Sequence, residues 1–181
     1  MRFVSGEFMA GNNIQEHGQK ILHTGFKGKN NSSGKLVQEI SENYLLLKNS
    51  FDGLKKDIEA IDEDFDFVIM FGCDKNLKDS VRIERFAEKN GERIASVLDL
   101  ENISAKLGAA GIKNFISDIP GHYLCNEAYW SALKKFNNKA VFIHIPTLKN
   151  IDEKHRGHRL SEKLIDAACN LAKAQGAFGT L

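Results

Sequence analysis

Three residues whose types could together make a thiol nucleophile, its base and the carboxylate that orients the base lie in ordered positions. They are Glu84 in "RIERFAEKN", Cys125 in "DIPGHYLCNEAYW" and His144 in "VFIHIP". Gly121 and His122 stand just ahead of Cys125, which falls in what reads as the first turn of a helix. There, unpaired backbone N–H groups and the positive end of the helix dipole lower a thiol's pKa. The same N–H groups can hold the oxyanion of a tetrahedral intermediate. Free cysteine is also among the most buried residue types, so position alone leaves Cys125 open between a small core side chain and a nucleophile. His144 follows "VFI" at the carboxyl end of a strand, and its ring is expected at the mouth of the sheet, where a base for Cys125 must be. A structural, hydrogen-bonded histidine fits the same position. Glu84 can accept from the other imidazole nitrogen and fix the tautomer; it also suits a solvated edge position or a partner for Arg82 or Arg85 beside it.

The elements that must position these residues follow from periodicity. "KILHTGF" reads as a short strand ending in the Gly-rich loop "GFKGKNNSSG". Leu36, Val37, Ile40 and Tyr44 then recur at helical spacing, with Ser32 or Ser33 available as a cap, and Phe51, Leu54, Ile58 and Ile61 stripe a second helix. "FDFVIMF" is a continuous apolar run of the kind found in a parallel sheet covered on both faces. "VRIERFA" alternates, as an edge or mixed strand does. Leu100, Ile103 and Leu107 mark a helix ended by "GAAG". "IKNFIS", "HYLCNEAYWSALKKF" and "KAVFIHIP" read as strand, helix and strand, and Leu160, Leu164, Ala168 and Leu171 stripe a final helix. Strands alternating with helices predict an α/β domain, a three-layer α/β/α sandwich on a mostly parallel or mixed central sheet. In such sheets ligands bind outside the carboxyl ends of the strands, where "GFKGKNNSSG", "GCDKNLKDS", "DIPGHY" and "HIPTLKN" are expected.

A chain of 181 residues suits one domain with a real core. Residues 20–181 are read as that domain, and residues 1–19 as a loosely ordered extension. A net charge of +1 supplies no field to gather DNA or an anionic membrane, so neither nucleic acid nor a membrane is an expected partner. No apolar run of secretory or membrane-spanning length is present, which predicts a cytoplasmic protein. Cys73, Cys125 and Cys169 lack CxxC spacing, so neither a disulfide framework nor a zinc knuckle is implied. "GKNNSSGKL" departs from a phosphate-binding loop by one residue in spacing and by Leu36 where a hydroxyl belongs. "HRGH", His155 to His158, reads as a cationic loop, because no completing ligand beyond Asp152 and Glu153 is nearby. Cys169 falls in an apolar stripe, and Cys73 in a loop beside Asp74, which would raise its pKa.

"ERFAEKN", "SDIPGHYLCNEAYW" and "FIHIP", with "ILHTGF" and "FVIMFG" ahead of them, together resemble pyroglutamyl peptidase I (pyrrolidone-carboxylate peptidase) over most of Lys20 to Ala174. The family carries Glu, Cys and His in that order, in "ERxAxN", "S-x-x-x-G-x-Y/F-x-C-N" and "FIHxP". The resemblance implies a phosphorylase/hydrolase-like fold and removal of N-terminal pyroglutamate through a Cys125–His144–Glu84 triad and an acyl-enzyme, with no cofactor and no metal. It implies a peptide substrate with a blocked amino terminus, and a homo-oligomer, tetramer or dimer. On the substrate side it points to Phe26, Cys73, Ile94, Tyr123 and Leu124 as pocket residues and to Arg93 as oxyanion support. The first loop keeps Phe26 but has Lys27 and Lys29 and no second Phe, and Cys73 stands where the family has Gln. A strand that the family places between its first two helices is expected to be missing between Lys48 and Asp64.

Overall fold

A computed structural model describes residues 19–150. The expected amino-terminal extension, the "HRGH" segment, the final helix and Cys169 lie outside the described residues. Within them the elements are β1 Ile21–Phe26, α1 Ser32–Ile40, β2 Tyr44–Leu47, α2 Phe51–Glu59, β3 Phe67–Asp74, β4 Ser80–Glu84, β5 Phe86–Lys89, β6 Glu92–Ala95, α3 Leu100–Ala109, β7 Lys113–Ser117, α4 Tyr123–Lys135 and β8 Ala140–Pro146. A six-stranded sheet has the order β2-β1-β3-β8-β4-β7, and β5 pairs with β6 in a separate antiparallel hairpin.

The alternation of side chains along each strand divides the core between two faces. Phe67, Ile69 and Phe71 of β3 pack with Leu36 and Val37 of α1 and with Leu100, Ile103 and Leu107 of α3. Val68 and Met70 of the same strand pack with Leu54 and Ile58 of α2 and with Ala128, Tyr129 and Leu133 of α4. Helices therefore cover both faces, as the continuous apolar run in β3 requires. Side-chain oxygens close the first three helices: Asn31 accepts from the Ser33 N–H, Ser50 from Gly53 and Asp99 from Asn102, each cap contributing roughly 1 kcal/mol. Asn31, not Ser32 or Ser33, caps α1; Ser33 is turned inward, accepting from the Phe26 N–H and donating to Asn31 Oδ1.

One expectation about the sheet is corrected. Tyr44 does not extend the stripe of α1; it opens β2, a parallel edge strand on β1. The strand between the first two helices is thus present. Its four residues are too few for alternation to separate them from the preceding helical period. The sheet is mixed, as expected: β4 runs antiparallel to β8 and parallel to β7, so these two strands oppose the other four. The segment after β7, Asp118 to His122, consequently leaves the sheet at the opposite end from the loops that follow β1, β3 and β8. It must cross the α4 face to bring Cys125 back to the carboxyl end of β8.

His23, in the middle of β1, is buried, and its Nδ1 has no hydrogen-bond partner among the described residues. Burial pushes its pKa down from 6.5 to about 4, against a smaller opposing effect of a bond to the Asn43 backbone. The ring is neutral in the folded protein at pH 7, whereas the unfolded chain takes up a proton near pH 6.5. Stability from His23 is therefore fully present above that pH and is lost as pH falls toward about 4. At about 1.4 kcal/mol per pKa unit, the loss between pH 7 and about pH 4.5 is on the order of 2 to 3 kcal/mol. Urea unfolding at the two pH values should show that difference in the wild type and a much smaller one in His23→Leu. Equal pH dependence in both proteins would remove His23 as the source.

Candidate active site

The antiparallel register of β4 and β8 places Arg82 opposite His144 and Glu84 opposite Phe142. All four side chains lie on the α4 face. Glu84 and His144 are almost fully buried, 2% and 5% exposed, and Glu84 Oε1 is 2.7 Å from His144 Nδ1. The same oxygen accepts from Arg82 Nε at 2.8 Å, and Arg82 Nη1 donates to Asp74 Oδ2 at 2.7 Å. Arg82 Nη2 lies 3.3 Å from His144 Nδ1. A carboxylate can only accept and a guanidinium can only donate. With Glu84 as the closer acceptor, Nδ1 carries the proton toward Oε1, the longer approach of Arg82 Nη2 is then donor to donor and no hydrogen bond, and Nε2 is left as the basic nitrogen.

Cys125 reaches this pair from α4. The cleft is lined by Glu84, Phe86, Gly121, Cys125, Asn126, Tyr129, Phe142 and His144, so it brings together the three residues singled out for their chemistry. Two glycines make room for them. A Cβ on Gly72, the β3 residue beside His144, would sit 3.0 Å from Cys125 Sγ and 2.7 Å from Phe142 Cζ. A Cβ on Gly121 would lie 3.4 Å from His144 Cε1, which shows how closely the crossing segment passes over the base. Tyr123, two residues before the cysteine, has φ of 56°; an aromatic residue there is strained by roughly 1–2 kcal/mol. Asn126 fixes the helix laterally. Its side chain donates to the Glu88 carbonyl at 2.6 Å and accepts from the Glu88 N–H at 2.9 Å, serving β5 as a strand neighbour would.

No side chain caps α4 at its N-cap residue His122, and its first turn has no acidic residue. The N–H groups of that turn have no intrahelical partners, which is the donor set an oxyanion needs. The thiol itself departs from expectation. Burial pushes Cys125 up to about 12, Cys73, Glu84 and Asp74 add to the rise, and Arg82 opposes it. Low-dielectric surroundings and neighbouring carboxylates outweigh the helix start, so the unliganded site holds a neutral thiol and depends on a base to take its proton.

The residues expected on the substrate side are less gathered. Phe26 is buried in the core with Leu47 and Leu54. Cys73 points to the α1 face, where Sγ donates to Asn31 Oδ1 at 3.1 Å and lies 3.0 Å from Ser32 Oγ. Ile94 and Leu124 pack against the α2/α4 core. The Tyr123 ring is 84% exposed, edge-on to His122. None of these five lines the cleft. Arg93 is also outside its lining: it donates to Glu88 Oε2 at 2.7 Å and lies over the Phe86 ring at 4.4 Å.

Residues not foreseen include Asp74, Gly72 and Phe86. The signal for Arg82 with Glu84 was legible, because residues two apart on a strand share a face. The approach of Asp74 depends on strand order and was not. Among the described residues no group of three His, Cys, Asp or Glu side chains could hold a metal ion. No helix among them is long and apolar enough to cross a membrane.

Fold and cleft together define an α/β protein with a Cys–His–carboxylate cluster. That fold is shared with the pyrrolidone carboxyl peptidases. A pyroglutamyl peptidase I from Bacillus amyloliquefaciens superposes with a TM-score of 0.74 at 17% identity, over 88% of this chain and 97% of that one. The pyrrolidone carboxyl peptidase of Thermococcus litoralis gives 0.70 at 21% identity, over 88% and 93%. A mutant of the Pyrococcus furiosus protein gives 0.68 at 22%, over 90% and 100%. No protein-family model matches the chain, and no curated protein matches its sequence. At these identities the likeness is one of fold.

Proposed function

We propose that this chain is a cysteine peptidase that removes pyroglutamate from the amino terminus of peptides. The observation that carries the reading is the 2.7 Å contact of Glu84 Oε1 with His144 Nδ1 inside the cleft that Cys125 lines. The shared fold supports it, because the solved structures named above are pyroglutamyl or pyrrolidone carboxyl peptidases. Phe86 and Phe142 put two apolar rings in the lining of the cleft.

His144 Nε2 takes the Sγ proton as sulfur attacks the carbonyl carbon between pyroglutamate and the next residue. The oxyanion accepts from N–H groups at the start of α4. The imidazolium, stabilised by Glu84, then gives its proton to the leaving amine as the C–N bond breaks. Water, deprotonated by the same nitrogen, hydrolyses the thioester to release pyroglutamate and restore the thiol. A thiol raised by burial makes this proton transfer a requirement for attack.

A second reading, a related peptidase for another blocked amino terminus, is favoured by one observation: Phe26 is in the core and does not line the cleft. Release of aminomethylcoumarin from its pyroglutamyl, prolyl and acetyl-alanyl derivatives separates the two. Turnover confined to the pyroglutamyl compound is the expected result. Turnover only of another blocked derivative would replace the substrate and keep the chemistry.

A further inference from the structure

The reading of Cys125, His144 and Glu84 leaves one charged group at the site without a role. Arg82 projects from the centre of β4 with its fork facing groups on three strands. Nε meets Glu84 Oε1 at 2.8 Å, Nη1 meets Asp74 Oδ2 at 2.7 Å, and Nη2 stands 3.3 Å from His144 Nδ1. Its side chain and that of Asp74 are mostly buried, 22% and 13% exposed. We propose that Arg82, anchored by Asp74, is a positioning residue that holds Glu84 Oε1 as the acceptor for His144 Nδ1–H, with Nε2 open to the thiol. The inference rests on the reading of His144 as the base for Cys125.

Glu84 Oε2 is buried without a hydrogen-bond partner among the described residues, and Arg82 and His144 share Oε1. Oε1 therefore carries both of the contacts that orient the pair. Protonated Glu84 would donate to Nδ1 and move the ring's proton to Nε2, where the thiol's proton has to go. Arg82 prevents that reversal because its Nε can only donate to Oε1.

Asp74 is what makes the cation a fixed one. It lies two residues beyond Gly72 on β3, on the same face, and its contact with Nη1 ties β3 to β4 across the intervening β8. Burial alone would raise Asp74, but the Asn76 N–H and Arg82 outweigh it and the carboxyl stays below its ordinary range. Arg82 is in turn raised by Glu84 and Asp74 against the opposing effect of its own burial. The charged or titratable groups around His144 are therefore Asp74 from β3, Arg82 and Glu84 from β4, and Cys125 and Tyr129 from α4. Lysine cannot do this work: a single ammonium on a flexible stem has no fork to span two carboxylates in fixed directions.

The test reads His144 directly. Nitrogen-15 histidine spectra, with His144 assigned by comparison with His144→Gln, report which ring nitrogen carries the proton. Carbamidomethylation of Cys125 by iodoacetamide, followed by peptide mapping across pH, reports the thiol. In the wild type the Nδ1–H tautomer is expected. In Arg82→Met, and in Arg82→Lys, which keeps a cation if the Met protein does not fold, Nε2–H should become populated. Cys125 alkylation should slow by about tenfold or more, the effect of one pKa unit. An unchanged tautomer with an unchanged alkylation rate in either folded variant overturns the proposal. Pyroglutamyl turnover on the same samples keeps the readings apart: a silent wild type whose His144 still responds to Arg82 removes the substrate and leaves the positioning role. An active wild type whose His144 ignores Arg82 does the reverse.

Discussion

Cys125→Ala is expected to reduce kcat/KM for a pyroglutamyl amide by at least ~10⁴-fold, leaving no measurable burst of amine release. The size of the effect follows from the absence of a substitute. Cys73 is the other free thiol among the described residues, but it lies on the α1 face of the sheet, bonded to Asn31 and beside Ser32. Water held in the same cleft would have to attack with His144 as its base and without a covalent intermediate. The fold should survive, because losing one sulfur at the start of α4 leaves the Asn126 clamp on β5 and the Tyr129 packing intact. Thermal unfolding should shift by a few degrees at most, consistent with a cost of about 1 kcal/mol. A variant that loses activity together with its melting transition would instead make Cys125 a structural residue.

Glu84→Gln should be nearly as severe, lowering kcat by roughly 10²- to 10⁴-fold with a small change in KM. The substitution keeps shape and changes what the two ends can do. With its oxygen toward Arg82 and His144, the amide places an NH₂ group where Oε2 is already buried without a partner among the described residues. With the amide reversed, NH₂ meets Nδ1, which must then accept, and the ring's proton moves to Nε2. In both orientations the imidazolium formed during attack loses its neighbouring negative charge, and Arg82 keeps Asp74 as its remaining carboxylate partner. Because the lost interaction strengthens in the transition state, kcat carries the effect. A rise in KM with unchanged kcat would instead assign Glu84 to substrate binding.

The sheet was largely legible because its inner strands are continuous apolar runs: β3 and β8 can be read from "FVIMF" and "VFI" alone. β2 was hidden because Tyr44 continues the helical spacing of Leu36, Val37 and Ile40, and the chain turns into a strand within a few residues. The direction of β4 was not legible, since alternation in "VRIE" is the same in a parallel or an antiparallel strand. That direction decides that the segment before Cys125 must cross the sheet face. The site divides in the same way. Glu84 and His144 each sit on a well-marked strand, so side-chain alternation and register suffice to bring them together. The pocket residues lie where loops and the β5–β6 hairpin decide position. Phe26 was drawn into the core by Leu47 and Leu54, and Arg93 was held by Glu88 and Phe86. The ionisation of Cys125 was misread because helix position is local information, whereas burial and the carboxylates of Asp74 and Glu84 are products of tertiary structure.

The central claim is that Cys125 forms a thioester with the pyroglutamyl group, and trapping that species tests it most directly. The protein would be mixed with the p-nitrophenyl ester of pyroglutamate, quenched in acid within milliseconds and mapped by peptide mass spectrometry. The account predicts a pyroglutamyl adduct on the peptide carrying Cys125 that disappears as hydrolysis proceeds, and none on the peptides carrying Cys73 or Cys169. Turnover with no adduct at Cys125, or an adduct confined to another residue, would contradict it.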